Sequence, residues 1–267
     1  MAIRKVGFIL VGDRAIASAR LRGHNVIDFL PECAEQYNPA NRDLYQVVVF
    51  QKRYEERDIA LASDLRNRGK KIVFDMCDNY LSDARKRPLL ERICRIAHVT
   101  TTASEQLEEL YAPLSNRVVM IADGLLDTAK SKAHGPKFQP VLLWFGNHGE
   151  RVLGEERGMG DLLMLRKPLE YLAKHNVLLK VVSNSREKYQ RLVHPLPIPS
   201  VYREWAISTI EDELLSAEAV LIPVKVDDFS RCKSNNRAAE AMLRMLPVVA
   251  SPIPSYSGTI EHAKNGF

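Results

Sequence analysis

Residues 220–251 restrict the fold more than any other stretch of the chain. They run Val220-Leu-Ile-Pro-Val224, a polar loop over 225–232, Lys233-Ser-Asn-Asn-Arg237-Ala-Ala-Glu240-Ala-Met242, and then Pro247-Val-Val-Ala-Ser251. An apolar run, a polar loop, a helical pattern opened by Ser and Asn, and a second β-branched run spell a strand–helix–strand unit. Strands joined in this way lie parallel in a helix-covered sheet, and such sheets bind ligands beyond the carboxyl ends of their strands. The loop in that position carries Lys233, Arg237 and Glu240 beside a predicted helix N-terminus. Two cations and a helix N-terminus suit phosphate, while a carboxylate one turn further can accept from a ribose diol. The stretch predicts a nucleotide or nucleotide-sugar site.

The same alternation fills the rest of the chain. Strand-like runs at 6–11, 47–50, 72–75, 99–101 and 118–121 are separated by helical patterns at 18–30, 59–68, 89–97 and 104–111. A polar stretch at 130–140 carries Gly135-Pro136 and Pro140 and has no hydrophobic period, which marks a boundary. The pattern then restarts, with strands expected at 141–145, 178–183, 219–224 and 248–251 and helices at 160–175, 186–192, 207–216 and 234–246. The expected architecture is α/β, with two Rossmann-like domains facing across a cleft. The N-terminal domain covers 1–130, a linker 131–140, and the C-terminal domain 141–267. Clefts between domains are preferred ligand sites.

Composition narrows the class. The 267 residues are 46% hydrophobic and 27% charged, as in ordinary globular proteins. No apolar run approaches the roughly 18 residues that span a bilayer. The opening Met-Ala-Ile-Arg-Lys-Val-Gly-Phe-Ile-Leu-Val reads as a buried strand, since it lacks a small-residue cleavage site. Cys33, Cys77, Cys94 and Cys232 show no metal spacing and read as reduced thiols of a cytoplasmic protein. The net charge of +5 is either solvated surface or attraction to an anionic partner. The strongest basic cluster, Arg85-Lys-Arg-Pro-Leu-Leu-Glu-Arg-Ile-Cys-Arg-Ile96, has apolar residues at 89, 90, 93 and 96 on one helical face. It reads as an ordinary amphipathic helix or, alternatively, as a peripheral contact with the cytoplasmic face of the inner membrane. Without interleaved aromatics it does not read as a nucleic-acid surface. HExxH, GxSxG, P-loop and zinc-deaminase patterns are missing, so neither a metal nor a cofactor is expected.

The block 233–242, with Pro247-Val-Val-Ala-Ser251 and Gly258-Thr-Ile-Glu-His-Ala-Lys-Asn-Gly-Phe267, resembles the donor-binding signature of GT-B glycosyltransferases. It is most similar to the large retaining group numbered family 4. Phe74-Asp-Met-Cys-Asp-Asn79, Thr101-Thr-Ala-Ser-Glu105 and Ile121-Ala-Asp-Gly-Leu-Leu-Asp127 resemble phrases of the family's N-terminal domain and of its approach to the linker. The resemblance implies transfer of a sugar from a nucleotide-diphosphate donor to a hydroxyl of a glycan, lipid-linked or small-molecule acceptor. It further implies retention of anomeric configuration and no metal. Relatives usually carry two acids eight positions apart. Glu240 matches the second, whereas Cys232 stands at the first. Relatives also continue beyond the position of Phe267, so the chain is read as short or truncated at its C-terminus. A nucleotide-sugar 2-epimerase of the same architecture and a non-catalytic nucleotide- or glycan-binding module are the alternatives.

The donor-side candidates are Gly146, Asn147, Arg157, Asn184, Lys233, Ser234, Asn235, Arg237 and Glu240. Gly146 and Gly149 follow a predicted strand directly, which suits close backbone approach to a ligand. Arg151, Arg157, Arg166 and Lys167 all follow that turn, and Arg157 is preferred because it precedes Gly158-Met-Gly160. Lys233 and Arg237 suit the diphosphate. Glu240 is read as a ribose acceptor, or as a helix carboxylate paired with Arg237 or Arg244. Ser234 reads as a helix N-cap. Trp205 can stack on a base or pack in a core. On the acceptor side, Asp13, Arg20 and Arg22 follow the first strand, and Asp78 and Asn79 follow a later one. His24, His98 and His148 have no partner at a defined spacing, so no catalytic residue is assigned.

Overall fold

A computed structural model describes residues 5–125, 130–149, 151–152 (backbone only) and 155–267. Asp127 and the side chain of Arg151 lie outside the described residues. The chain divides into two compact units, Met1–Leu126 with Arg231–Ser234, and Asp127–Ser230 with Asn235–Phe267.

The first unit begins with β1 (Lys5–Ile9), followed by α1 (Ala17–Ala19), a π-turn (Arg20–His24) and α2 (Asn25–Phe29). Then come β2 (Ala34–Gln36), β3 (Tyr45–Gln51), α3 (Glu56–Asn67), β4 (Lys71–Met76), α4 (Arg87–Ile96), β5 (Val99–Thr102), α5 (Glu105–Tyr111) and β6 (Val118–Met120). Its strands are parallel in the order β2-β1-β3-β4-β5-β6. The sequence of β3, Tyr-Gln-Val-Val-Val-Phe-Gln, is stiff at χ1 and suits a central strand covered on both faces. Tyr45, Val48, Phe50, Ile72 and Phe74 are fully buried beneath α3, α4 and α5. Each such side chain contributes about 1.5–3 kcal/mol of burial. Reciprocal bonds between Glu55 and Asp58 start α3 as a capping box, and Ser104 caps α5 by accepting from the Leu107 N–H.

Helix α4 settles the basic segment at 85–96. Leu89, Leu90, Ile93 and Ile96 pack into the core of this unit, while Arg87 and Arg95 pair with Glu91 and Arg92 pairs with Glu56. The apolar face that suggested a membrane contact is therefore covered by the unit itself. No helix among the described residues is long and apolar enough to cross a membrane.

The second unit starts with β7 (Val141–Phe145), the hairpin of β8 (Arg151–Val152) and β9 (Glu155–Glu156), a 3₁₀ helix (Gly158–Leu165) and α6 (Arg166–Ala173). It continues through β10 (Leu178–Ser183), α7 (Arg186–Leu192), β11 (Ser200–Glu204), α8 (Ile210–Leu215), β12 (Ala219–Ile222), α9 (Asn236–Leu243), β13 (Val248–Ala250) and α10 (Pro254–Ser257). The order is β11-β10-β7-β12-β13, again parallel. Alternation along β7 splits the core between the two sheet faces. Leu143 and Phe145 join Val220, Ile222 and Val248, and Trp144 joins Met159, Leu169, Leu179 and Val181. Chain direction across the sheet reverses at β7, with β10 and β11 on one side and β12 and β13 on the other. Ligands favour the crevice outside the carboxyl ends at such a point.

Several expected elements differ. The helix expected at 160–175 starts as the 3₁₀ helix, because Pro168 cannot donate the bond that an α-helix running through it would need. Short β2 was not expected, because Ala-Glu-Gln carries no β-branched signal. β11 was hidden behind the Pro-rich connection at 194–199. The helix expected at 234–246 is α9, and its N-cap is Asn235 rather than Ser234.

Candidate functional site

At the reversal point of the second unit the chain is shaped by glycine. Gly146, just after β7, has φ +151, and a Cβ there would stand 3.3 Å from Arg237 Nη1. Arg237 lies in the first turn of α9. Among the described residues both hydrogen-bond partners of its guanidinium are neutral, the Phe145 carbonyl and the Tyr256 hydroxyl at 3.4 Å each. Asn235 makes no capping bond to the helix, and its amide donates instead to Thr259 Oγ1 at 2.7 Å. A cation with neutral partners at the positive end of a helix is suited to an anion. Glu240, one turn along α9, is half-buried. Its carbonyl accepts from Arg244 Nη1 at 2.9 Å, and Arg244 also lies 3.7 Å from Glu211.

The loop after Gly146 is tied down on all sides. The Ser183 hydroxyl donates to the Gly146 carbonyl at 2.7 Å. Asn147 Oδ1 accepts from the Gly149 N–H at 2.9 Å, and Asn184 Oδ1 accepts from the His148 N–H at 2.9 Å. Gly149 (φ +76) and Gly158 (φ +65) face each other so closely that a Cβ on Gly149 would lie 2.5 Å from the Arg157 carbonyl oxygen. Only glycine fits there. Buried Asp161 accepts from the Gly158 N–H at 3.0 Å and from the Lys225 N–H at 3.4 Å. Burial raises its pKa, partly offset by those N–H groups and by the charges of Arg157 and Arg237. The Arg157 guanidinium pairs with Asp227, and with Glu155 at 3.3 Å. Burial opposes ionisation of Asp227, yet the Ser230 N–H and Arg157 hold its carboxyl below the usual range.

The first unit gathers charge differently. Arg22, in the π-turn, is buried and donates to Asp75 through Nε at 2.9 Å and Nη2 at 2.7 Å. Its Nη1 donates to Asp123 at 2.9 Å and to the Ile121 carbonyl at 2.7 Å. Thr101 donates to Asp75 at 2.6 Å, and Ser234 donates to Asp123 at 2.6 Å. Nearby, Asp78 accepts from Lys52 at 2.5 Å and from Lys233 at 2.9 Å. Burial disfavours the Asp78 carboxylate, but Lys233 and Lys52 hold it well below the usual range. The Ser104 hydroxyl donates to the Cys232 carbonyl at 2.8 Å.

The structure thus sorts the sequence candidates. Gly146, Asn147, Arg157, Asn184, Asn235, Arg237 and Glu240 belong to the second unit, and Gly146 lies beside Arg237. Lys233 and Ser234 belong to the first unit. There Lys233 is neutralised by Asp78, and Ser234 bonds Asp123 instead of capping a helix. Among the acceptor-side residues, Arg22 is not open to an acceptor, because Asp75 and Asp123 use its donors. Asp78 holds two lysines, and buried Asn79 closes a turn by accepting from the Leu81 N–H at 3.1 Å. Asp13 is exposed and accepts from the Ala15 N–H, while Arg20 donates to the Arg14 carbonyl. Trp205 packs partly against the core of the second unit. Arg166 and Lys167 are exposed on α6. Sequence reading missed Asp161, Lys188 and Tyr256, since each lies in a polar or mixed run with no motif around it. No group of three or more His, Cys, Asp or Glu is placed to hold a metal among the described residues.

No protein-family model and no curated protein matches the sequence. Solved structures do match. Anabaena HepE in complex with UDP and glucose aligns with a TM-score of 0.66 at 11% identity, over 99% of this chain and 85% of that one. A glycosyltransferase from Rickettsia africae aligns with a TM-score of 0.64 at 11% identity, over 100% and 84%. The lipopolysaccharide outer core galactosyltransferase WaaB, in its apo form, aligns with a TM-score of 0.53 at 14% identity, over 91% and 64%. At such identities the likeness shows the fold, and the chain has the GT-B fold of two α/β units, each built on a parallel sheet.

Proposed function

We propose that the protein is a glycosyltransferase that moves a sugar from a nucleotide-diphosphate donor to an acceptor hydroxyl in glycan biosynthesis. The observation that carries this reading is Arg237, whose hydrogen-bond partners among the described residues are both neutral, at the N-terminus of α9 beside Gly146 and at the reversal point of the second sheet. HepE, of similar fold, was crystallised with UDP-glucose, which supports a nucleotide-sugar donor.

In this reading the second unit holds the donor. Gly146 lets the ligand approach the backbone, and Arg237 with the helix N-terminus takes the diphosphate. Glu240 accepts from the ribose. As the glycosidic bond breaks, negative charge grows on the leaving diphosphate, and fixed donors stabilise that charge without reorganising. The acceptor belongs to the first unit, where Asp13 is exposed and Arg20 half-buried. Retention of configuration, independence of metals and a place in the cytoplasm, against the inner membrane or away from it, complete the proposal.

Calorimetry against UDP, GDP, CMP and ADP tests it. One nucleotide should bind, and both Arg237→Ala and Glu240→Ala should weaken it at least tenfold, about 1.4 kcal/mol each. Binding to none of the four overturns the reading. Binding without release of that nucleotide from its sugar, with acceptors supplied, leaves a nucleotide-binding module in its place.

A further inference from the structure

Lys188 looks in the sequence like a solvated residue of a surface helix, within Arg186-Glu-Lys-Tyr-Gln-Arg191. It is instead 7% exposed. An ammonium group withdrawn from water is costly unless its donors are satisfied. All three of its protons have an acceptor: the Gly149 carbonyl at 2.9 Å, the Arg157 carbonyl at 3.1 Å, and Glu156 Oε2 at 2.9 Å.

Those acceptors flank the β8–β9 hairpin. Gly149 precedes it, Glu156 ends it and Arg157 follows it. A hairpin with two residues in each strand is at best marginal alone. Its base is closed by the Met159 N–H donating to the His148 carbonyl at 3.1 Å, and by the charge-assisted bonds of Lys188. The same ammonium therefore fixes both the loop that follows β7 and the backbone that carries Arg157.

We propose that Lys188 is a positioning residue of the donor site. It touches no ligand, but holds the 146–149 loop and the Arg157 backbone in the geometry that receives the diphosphate. The inference rests on the nucleotide-sugar reading of that site.

The test pairs hydrogen exchange of the ligand-free protein with nucleotide affinity. In Lys188→Met, exchange at Gly149, Gly158 and Met159 should quicken at least tenfold while the β10 amides keep their rates. The dissociation constant for the nucleotide bound by wild type should rise at least tenfold. Lys188→Arg, which keeps the charge, should stay within about threefold. Leu169→Ala, a cavity in the same core, should lower the melting temperature yet leave affinity within about twofold. If Lys188→Met does not fold, Glu156→Gln, which weakens one of the three bonds, is measured in its place. Unchanged exchange and affinity in the lysine variants overturn the role of Lys188 alone, as does a Leu169→Ala variant that loses equal affinity. A wild-type protein that binds none of the nucleotides overturns the function reading and the ligand half of this inference together.

Discussion

Arg22 and Arg237 are the same residue type on comparable ground, each in a helical segment of a parallel α/β unit, yet they are suited to opposite tasks. Arg22 is buried and donates to two carboxylates, Asp75 and Asp123. Among the described residues, Arg237 donates hydrogen bonds to a carbonyl and a phenol, both at 3.4 Å, and its nearby acid Asp161 accepts from backbone N–H groups instead. A guanidinium whose donors are filled by buried carboxylates is part of the scaffold, because replacing those bonds by a ligand would strand two anions. One with long, neutral contacts can take an anion at little cost. Lys233 illustrates the intermediate case, a cation read as a ligand contact but held by Asp78.

Breaking the scaffold side should have the largest effect. Arg22→Met leaves Asp75 and Asp123 buried without their cation and should cost about 3–5 kcal/mol in urea unfolding. A loss below about 1 kcal/mol would mean that the two arginines do not differ in kind. Asp78→Asn should cost about 1.5–3 kcal/mol at pH 7, through weakened bonds to two ammonium groups. The sign of its pH dependence follows from a folded pKa held below the unfolded one. The stabilisation is present above roughly pH 4 and is lost as pH falls through the folded value. The gap between wild type and Asp78→Asn in thermal melting should therefore narrow below about pH 4, and a gap that widens contradicts the pairing.

On the ligand side, Gly149→Ala combines positive φ with a backbone clash and should cost about 1–3 kcal/mol. Nucleotide affinity should fall more than that stability loss explains, as calorimetry at a temperature where both proteins are folded would show. The last effect is chemical. Desolvation, and then the Asp78 carboxylate, push the half-buried Cys77 thiol up to about 12. Since the thiolate is the nucleophile, alkylation of Cys77 by iodoacetamide at pH 8 should run more than about a hundredfold slower than that of an ordinary thiol. Mass-spectrometric mapping at successive times measures it, and fast labelling would place Cys77 outside the half-buried Asp78 cluster.

The chain's periodicity by itself determined the class of fold. Short apolar runs alternating with helical patterns left a parallel, helix-covered sheet in each half, and the 220–251 stretch placed a loop and helix N-terminus where such sheets take ligands. Glycine was legible too, since Gly146 and Gly149 directly follow a strand. Elements without a local signal, such as β2 and the paired strands β8 and β9, were not. Only the tertiary structure decided which charges are engaged. Arg22 meets Asp75 across 53 positions and Asp123 across 101, and Lys233 meets Asp78 across 155. Lys188 is buried by a hairpin more than thirty positions earlier. Periodicity encodes which face of its own element a residue occupies. A charge is neutralised by whatever the fold brings within about 4 Å, and that distance is written in no local pattern.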